Sequence, residues 1–269
     1  MRRDWDRRAR ENARYYVATD RSNWTDEEFF ASGEKELADT VLNDMDNICQ
    51  GRDPASMRVL EIGCGAGRVT RALAGVFGEV HAVDVSGEMI AQARSALAGL
   101  PNVFLYQNNG MDLAVVPNAP FDFAFSVIVF QHIPSFAVIE SYFREAARLL
   151  RPGALFKLQV HGLPEIPEQE PPPLPVPPPE AVPLSEVPWR WRLAGKIPLP
   201  IRRRFLRPIR QLVLPPSVRT KPRFDPPDTW VGVMVTPEDA QSICDRCGFE
   251  LRHQRGAGGQ EYWLWCFRK

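Results

Sequence analysis

Residues 59–70 read VLEIGCGAGRVT, and the glycines at 63, 65 and 67 follow an acidic residue, Glu61, at every second position. Glycine permits positive φ and lets a ligand touch main chain where a Cβ would block it. A helix starting just after this turn aims its free N–H groups at the same spot, which suits an anionic group. Asp84 closes the next predicted strand, 21 residues beyond Gly63. An acidic residue there can accept both hydroxyls of a ribose. Glycines and aspartate together imply an adenosine-bearing ligand; the competing reading is a tight turn followed by a surface aspartate. The dinucleotide fingerprint is G-x-G-x-x-G, so the G-x-G-x-G spacing here favours a ligand other than NAD.

Two histidines stand where proton transfer would be useful. His132 follows the fourth predicted strand and His161 ends the fifth, and sites form at the carboxyl ends of parallel strands. A neutral imidazole suits general-base work near neutral pH. The alternative for His132 is a packing or loop-capping role. Tyr15 and Tyr16 can close over a ligand from the N-terminal segment, or serve as core aromatics on a helix. Cys244 and Cys247 form one C-x-x-C with no second pair, so they read as core thiols and no metal is expected. Cys64 lies inside the glycine turn, where a small side chain fits.

The elements that must position these residues alternate strand and helix. MRVLEIG is a buried strand, and RVTRALAGVFG a helix with apolar residues at Val69, Leu73, Val76 and Phe77 that stops at Gly78. EVHAVDVS, VFLYQNN, FDFAFSVIVFQHI and ALFKLQVHG are further strands, with helices over GEMIAQARSALAGL and SFAVIESYFREAARLLRPG. Repeated β-α-β units imply a parallel sheet covered on both faces. Thr236 is the N-cap of a last helix, with Pro237 in its first turn and Gly248 as its stop. FELRHQRG and EYWLWCFRK then form an antiparallel hairpin, since so short a link permits nothing else.

The whole chain has 269 residues, with Lys+Arg and Asp+Glu both at 33, so overall charge makes no case for nucleic acid. Five cysteines and a charged N-terminal stretch without an apolar signal core point to a reducing, cytoplasmic setting. Of 26 prolines, 19 lie between Pro164 and Pro227, which forbids helix or central strand over much of that stretch. The chain divides into an N-terminal helical cap at 1–55, a nucleotide-binding core at 56–162, a Pro-rich basic insertion at 163–228, and a C-terminal helix and hairpin at 229–269.

At these motifs the sequence resembles the class I S-adenosylmethionine-dependent methyltransferases. VLEIGCGAGRVT resembles their first motif, HAVDVSGEMIAQAR the second, FDFAFSVIVFQHI the fourth strand, and the closing hairpin their reversed last strand. The resemblance covers about 60–162 and 229–269. It implies an α/β fold, a doubly wound, seven-stranded, mostly parallel sheet with an antiparallel C-terminal hairpin strand. It also implies S-adenosyl-L-methionine as cofactor. Gly63, Gly65 and Gly67 would then admit the methionine part, with Cys64 between them and Glu61 near the ammonium. Asp84, followed by Val85, would hold the ribose, and Met89 would wall the adenine. Asn109, with Gly110 and Met111, falls where the family usually has an acidic residue reaching the adenine amino group. Ser126 and Phe130 would flank the methyl donor, and Tyr16 would close the site from the cap.

From Trp189 to Arg223 the insertion carries eleven Lys/Arg and no acidic residue. Ile201, Phe205, Ile209 and Leu212 recur at helical spacing among them. Such a stretch suits a lid on the acceptor pocket, peripheral contact with an anionic membrane through 189–223, or a solvated face. The expected function is methyl transfer to an oxygen or nitrogen of a small-molecule or lipid-like acceptor. Two alternatives remain: a catalytically inactive cofactor-binding or regulatory module, and an NAD-dependent oxidoreductase.

Overall fold

The structure, a computed structural model, describes residues 1–118, 120–162, 230–256 and 260–269. The stretch 163–228, and with it the expected lid or membrane-contact segment, lies outside the described residues.

The first helix, α1 (Arg2–Val17), is interrupted at Asn12, whose side-chain oxygen accepts the Tyr15 N–H at 3.1 Å. The next, α2 (Asp26–Thr40), starts on a capping box between Thr25 and Glu28, and a short α3 (Met45–Cys49) follows. The core then runs β1 (Arg58–Ile62), α4 (Arg68–Ala74), β2 (Glu79–Asp84), α5 (Gly87–Ala96), β3 (Val103–Gln107), β4 (Phe121–Ser126), α6 (Phe136–Leu149) and β5 (Leu150–His161). It ends in α7 (Pro237–Cys247), β6 (Phe249–Gly256) and β7 (Glu261–Arg268).

The seven strands lie in the order β3-β2-β1-β4-β5-β7-β6. β1 pairs in parallel with β2 and β4, and β4 in parallel with β5. β7 runs antiparallel to both β5 and β6. This is the doubly wound, mostly parallel sheet with a reversed C-terminal strand that the motif series predicts. Thr236 caps α7 by accepting the Asp239 N–H, with Pro237 in the first turn and Gly248 left-handed at the stop.

Two helix ends differ from the sequence reading. α4 stops at Ala74 rather than at Gly78. Gly75 weakens continuation, and a Cβ at Gly78 would meet the Ala55 carbonyl at 2.2 Å, so the chain must already have turned toward β2 there. β5 begins directly at Leu150 and includes the RPG that reads as a turn; the register of β4 on β5 shifts between Phe121 and Phe123 to accommodate it.

The sheet is buried on both faces. α6 turns Ile139, Tyr142, Phe143, Ala146 and Leu149 inward at helical spacing. Phe143 lies 5.3 Å from Phe156 and 5.8 Å from Phe249, ring to ring, which ties α6 to β5 and β6. Each such fully buried ring contributes roughly 1.5–3 kcal/mol. This aromatic core holds the carboxyl ends of β1, β2, β4 and β5 along one edge of the sheet. Among the described residues no helix is long and apolar enough to cross a membrane.

Candidate active site

The turn after β1 is built by left-handed glycines: φ is +82° at Gly63, +52° at Gly65 and +87° at Gly67. The N–H groups of Gly63 and Cys64 both donate to the Val83 carbonyl, at 2.8 and 3.0 Å, which pins the turn against the end of β2. The three glycines answer different constraints. A Cβ at Gly63 would meet the Val129 side chain at 2.1 Å, and one at Gly65 would meet Val17 at 2.7 Å. Both valines line the cavity over the turn. Gly67 faces elsewhere: its Cβ would strike Leu97 at 2.8 Å and Ala93 at 3.4 Å. Its role is close packing of α4 on α5, so it does not share the cavity-facing role expected of it.

That cavity encloses about 830 Å³, its open mouth included. Glu61, Gly63, Cys64, Gly65, Asp84, Val85 and Met89 line it from the core. Met1, Trp5, Tyr16 and Val17 close it from α1. The helix is strapped down on both sides. Arg2 donates to the Asn108 carbonyl at 2.9 Å, and Asp6 accepts from the Ser86 hydroxyl at 2.7 Å.

Both carboxylates in the cavity are perturbed. Asp84 accepts the Gly65 N–H at 2.9 Å and the Ser86 N–H at 2.8 Å, one on each oxygen, so each oxygen retains an accepting lone pair. Burial pushes its pKa up to about 6 against those hydrogen bonds, and the Asp6 charge adds to the rise. Glu61 is 3% exposed and accepts the Thr70 hydroxyl at 2.6 Å. Burial raises it to about 7, with Thr70 and Arg68 opposing and Asp84 adding. Burial likewise raises the Cys64 thiol, which is a turn residue and no nucleophile.

Beyond β3 the structure shifts the expected contact by one residue. Asn109 is exposed and spent on its own loop: its oxygen accepts the Met111 and Asp112 N–H groups at 2.7 and 3.0 Å. Met111 is 61% exposed, and Gly110 makes the left-handed turn between them. It is Asn108 that lines the cavity, buried, its amide donating to the Tyr142 hydroxyl at 2.8 Å. Side chains alternate along a strand, so a slip of one position reverses the face.

After β4, Ser126 and Phe130 sit behind the cavity wall rather than in it. The Ser126 hydroxyl donates to the Ile62 carbonyl at 2.8 Å, bracing β4 on β1. Phe130 is fully buried against Tyr142 and Phe156, at 5.8 and 6.0 Å. The wall itself is Val127, Ile128 and Val129. Ile128 has φ +58°, a costly conformation for a β-branched residue. Its N–H donates to the Gln159 side chain at 3.1 Å, which holds it there.

A second cavity, of about 640 Å³, adjoins the first and shares Tyr16, Val17, Ile128 and His132 with it. His161, Gln131, Trp230 and Glu261 also line it. The two histidines therefore meet on one chamber. His132 is buried, its Nδ1 hydrogen-bonded to the Trp230 carbonyl, its ring 5.1 Å from Trp5 and 5.2 Å from Trp230. Tyr16 faces both cavities while its hydroxyl donates to Glu11 at 2.9 Å; burial, then Glu11, push its pKa up to about 12. Cys244 and Cys247 are buried thiols of α7, Cys244 Sγ lying 3.4 Å from that of Cys266.

A seven-stranded sheet with a reversed strand beside β5, and a cavity over a glycine turn at its carboxyl edge, defines the Rossmann-like methyltransferase fold. Residues 59–153 match the family described as "Methyltransferase domain". The chain is similar to the ubiquinone biosynthesis O-methyltransferase of Xanthomonas oryzae pv. oryzae (strain PXO99A), 31% identical over 110 residues, 40% of this chain and 45% of that protein. It is 34% identical over 79 residues to the malonyl-[acyl-carrier protein] O-methyltransferase of Bacillus anthracis, 29% of this chain and 28% of that one. The matches thus span about half the length of these curated relatives, or less. Among solved structures, magnesium protoporphyrin IX methyltransferase from Synechocystis PCC 6803 shares the fold, with a TM-score of 0.56 at 14% identity, over 100% of this chain and 98% of that one. Motif series, strand order and family match together place this core in the class I S-adenosylmethionine-dependent methyltransferase family.

Proposed function

We propose that the chain is a methyltransferase that takes S-adenosyl-L-methionine in the glycine-turn cavity and methylates an oxygen or nitrogen of a small-molecule or lipid-like acceptor. The observation that carries this reading is the pair of buried carboxylates, Glu61 and Asp84, lining one cavity on either side of the Gly63–Gly65 turn. A buried carboxyl held near neutrality by desolvation gains most from a ligand bearing an ammonium or hydroxyl groups. The residues fit the cofactor accordingly. Glu61 would meet the amino group, the free lone pairs of Asp84 the ribose hydroxyls, and Met89 and Val85 an apolar ring. When bound, the cofactor supplies an electrophilic methyl group on a sulfonium. The chain's part is to hold that methyl group toward the second cavity across Ile128 and His132, and to keep water out with Trp5, Tyr16 and Val17 of α1.

The adjoining second cavity favours a transferase over a module that only holds cofactor, since a reacting partner has its own chamber. Isothermal titration with S-adenosylmethionine and S-adenosylhomocysteine tests the first half of the reading. Labelled cofactor incubated with an extract of metabolites and lipids, followed by mass spectrometry, tests the second. Absence of heat with either nucleoside overturns it.

A further inference from the structure

We infer that His161, supported by Glu261, is the proton acceptor of the second cavity, and that the acceptor is a weakly acidic hydroxyl compound of the phenol type. The inference rests on the proposed methyltransferase reading and deepens it. His161 ends β5 and Glu261 opens β7, and they are direct partners in the antiparallel register. Directly opposed residues in such a pair project to the same side of the sheet. Both line the second cavity. The main chain around them is fixed at short range: the His161 carbonyl accepts the Val235 N–H at 2.7 Å, and the Gly162 N–H donates to the Gln260 carbonyl at 2.7 Å. An imidazole beside a carboxylate on a rigid strand end is a general base with a partner that stabilises its protonated form.

The other histidine of the chamber is placed differently. The His132 ring is stacked between two tryptophans and held by the Trp230 carbonyl, which makes it wall between the cavities. Tyr16 and Trp230 give the chamber flat apolar surface, with ring centroids 5.9 Å apart. A chamber with an aromatic wall and a base at one end suits a planar compound whose hydroxyl must lose its proton. A carboxylate acceptor, ionised already, has no use for the base. In the step itself, the acceptor oxygen forms the new bond to the methyl carbon and its proton passes to the His161 ring. The electron pair of the broken carbon–sulfur bond stays on sulfur. Glu261 balances the imidazolium until the proton leaves to solvent.

4-Nitrophenol is a probe that reports this proton directly, because its ionised form absorbs at longer wavelength than its neutral form. The full chain, saturated with S-adenosylhomocysteine, is titrated with it at a pH below the dye's own ionisation range. Wild type should bind the dye with the phenolate band developed. His161→Gln should bind it without the band, Glu261→Gln should show a reduced band, and His132→Gln should retain it. Calorimetry should give S-adenosylhomocysteine affinities within about twofold of wild type for the first two variants, whose residues lie outside the glycine-turn cavity. A phenolate band unchanged in His161→Gln, a band lost only in His132→Gln, or no binding of the dye by wild type overturns the inference. Absence of heat with S-adenosylhomocysteine instead overturns the methyltransferase reading. Should His161→Gln fail to fold by thermal unfolding, the Glu261→Gln result decides alone: an undiminished band is a refutation.

Discussion

Replacing Glu61 by glutamine should make the ligand-free protein more stable at alkaline pH while making it a poorer binder. Glu61 is almost wholly buried, and desolvation moves its pKa from the ordinary 4.5 to about 7. The folded chain therefore holds this proton more tightly than the unfolded chain does. Between those two values stability falls as pH rises, and above about 7 the loss is complete. Tenfold in proton affinity is worth about 1.4 kcal/mol, so the difference corresponds to about 3 kcal/mol at pH well above 7. Glutamine has the same shape, never ionises, and keeps an oxygen for the Thr70 hydroxyl at 2.6 Å. Urea unfolding of both proteins should give equal stabilities below the ordinary carboxyl range. The variant should gain up to about 3 kcal/mol on the alkaline side, or roughly 5–10 °C in melting temperature for a chain of this size. The same substitution should weaken S-adenosylmethionine by about tenfold or more, the loss expected when a charged hydrogen-bond partner is removed. In wild type the affinity should rise with pH through about 7, because only the ionised carboxylate attracts the ammonium. A variant no more stable than wild type at alkaline pH would show that Glu61 is compensated in the free protein, and the reasoning from desolvation would fail.

Asp84→Asn should weaken the cofactor by about tenfold in calorimetry, since it removes the charge on the oxygens offered to the ribose; unchanged affinity would refute the ribose assignment. Gly67→Ala should destabilise the fold by about 1–3 kcal/mol in denaturant unfolding, because φ is +87° and the new methyl lies 2.8 Å from Leu97. A neutral result there would show that α4 and α5 can separate freely. Tyr142→Phe should cost about 1 kcal/mol and loosen the cavity wall, since the Asn108 amide loses its hydroxyl acceptor at 2.8 Å; hydrogen exchange of residues 107–112 should quicken, and unchanged exchange would count against Asn108 as a held wall residue.

Much of the fold was legible because its signals are local. The glycine turn, the strand ending in Asp84 and the Thr236–Gly248 helix each carry their own stops and caps, and the sheet order follows from repeated β-α-β units and one short hairpin. The candidate site was legible only where it coincides with those punctuation marks. Glu61, Gly63, Gly65, Asp84 and Met89 line the cavity. Asn108 was passed over for Asn109 because two like residues at a strand end offer no phase, and only the pairing of β3 on β2 fixes which one turns inward. Phe130 and Ser126 belong to an apolar run with no period, where wall and core look alike. Trp5 and Met1 reach the cavity through the docking of α1 by Arg2 and Asp6, contacts that span 106 and 80 residues. Glu261 meets His161 only through the register of β7 on β5. None of these has a signature in its own neighbourhood.

The residues that break folding rules are gathered at one edge of the sheet. Two carboxyls are buried against the cost of desolvation, at Glu61 and Asp84. An isoleucine is held left-handed at 128. Each is locally unfavourable by about 1–3 kcal/mol. The opposite edge of the same sheet shows the contrary pattern: Asp122 there accepts Arg151 at 3.0 Å and the Arg58 N–H at 3.0 Å, a satisfied acid at the start of β4. One sheet thus pairs its acids at one end and leaves them dependent on a ligand at the other. Stability alone would have removed the second arrangement, since glutamine at 61 or glycine at 128 relieves it. The aromatic core of α6, β5 and β6 supplies the surplus that tolerates it. Binding at the carboxyl edge is therefore the account that explains why these particular costs are concentrated there.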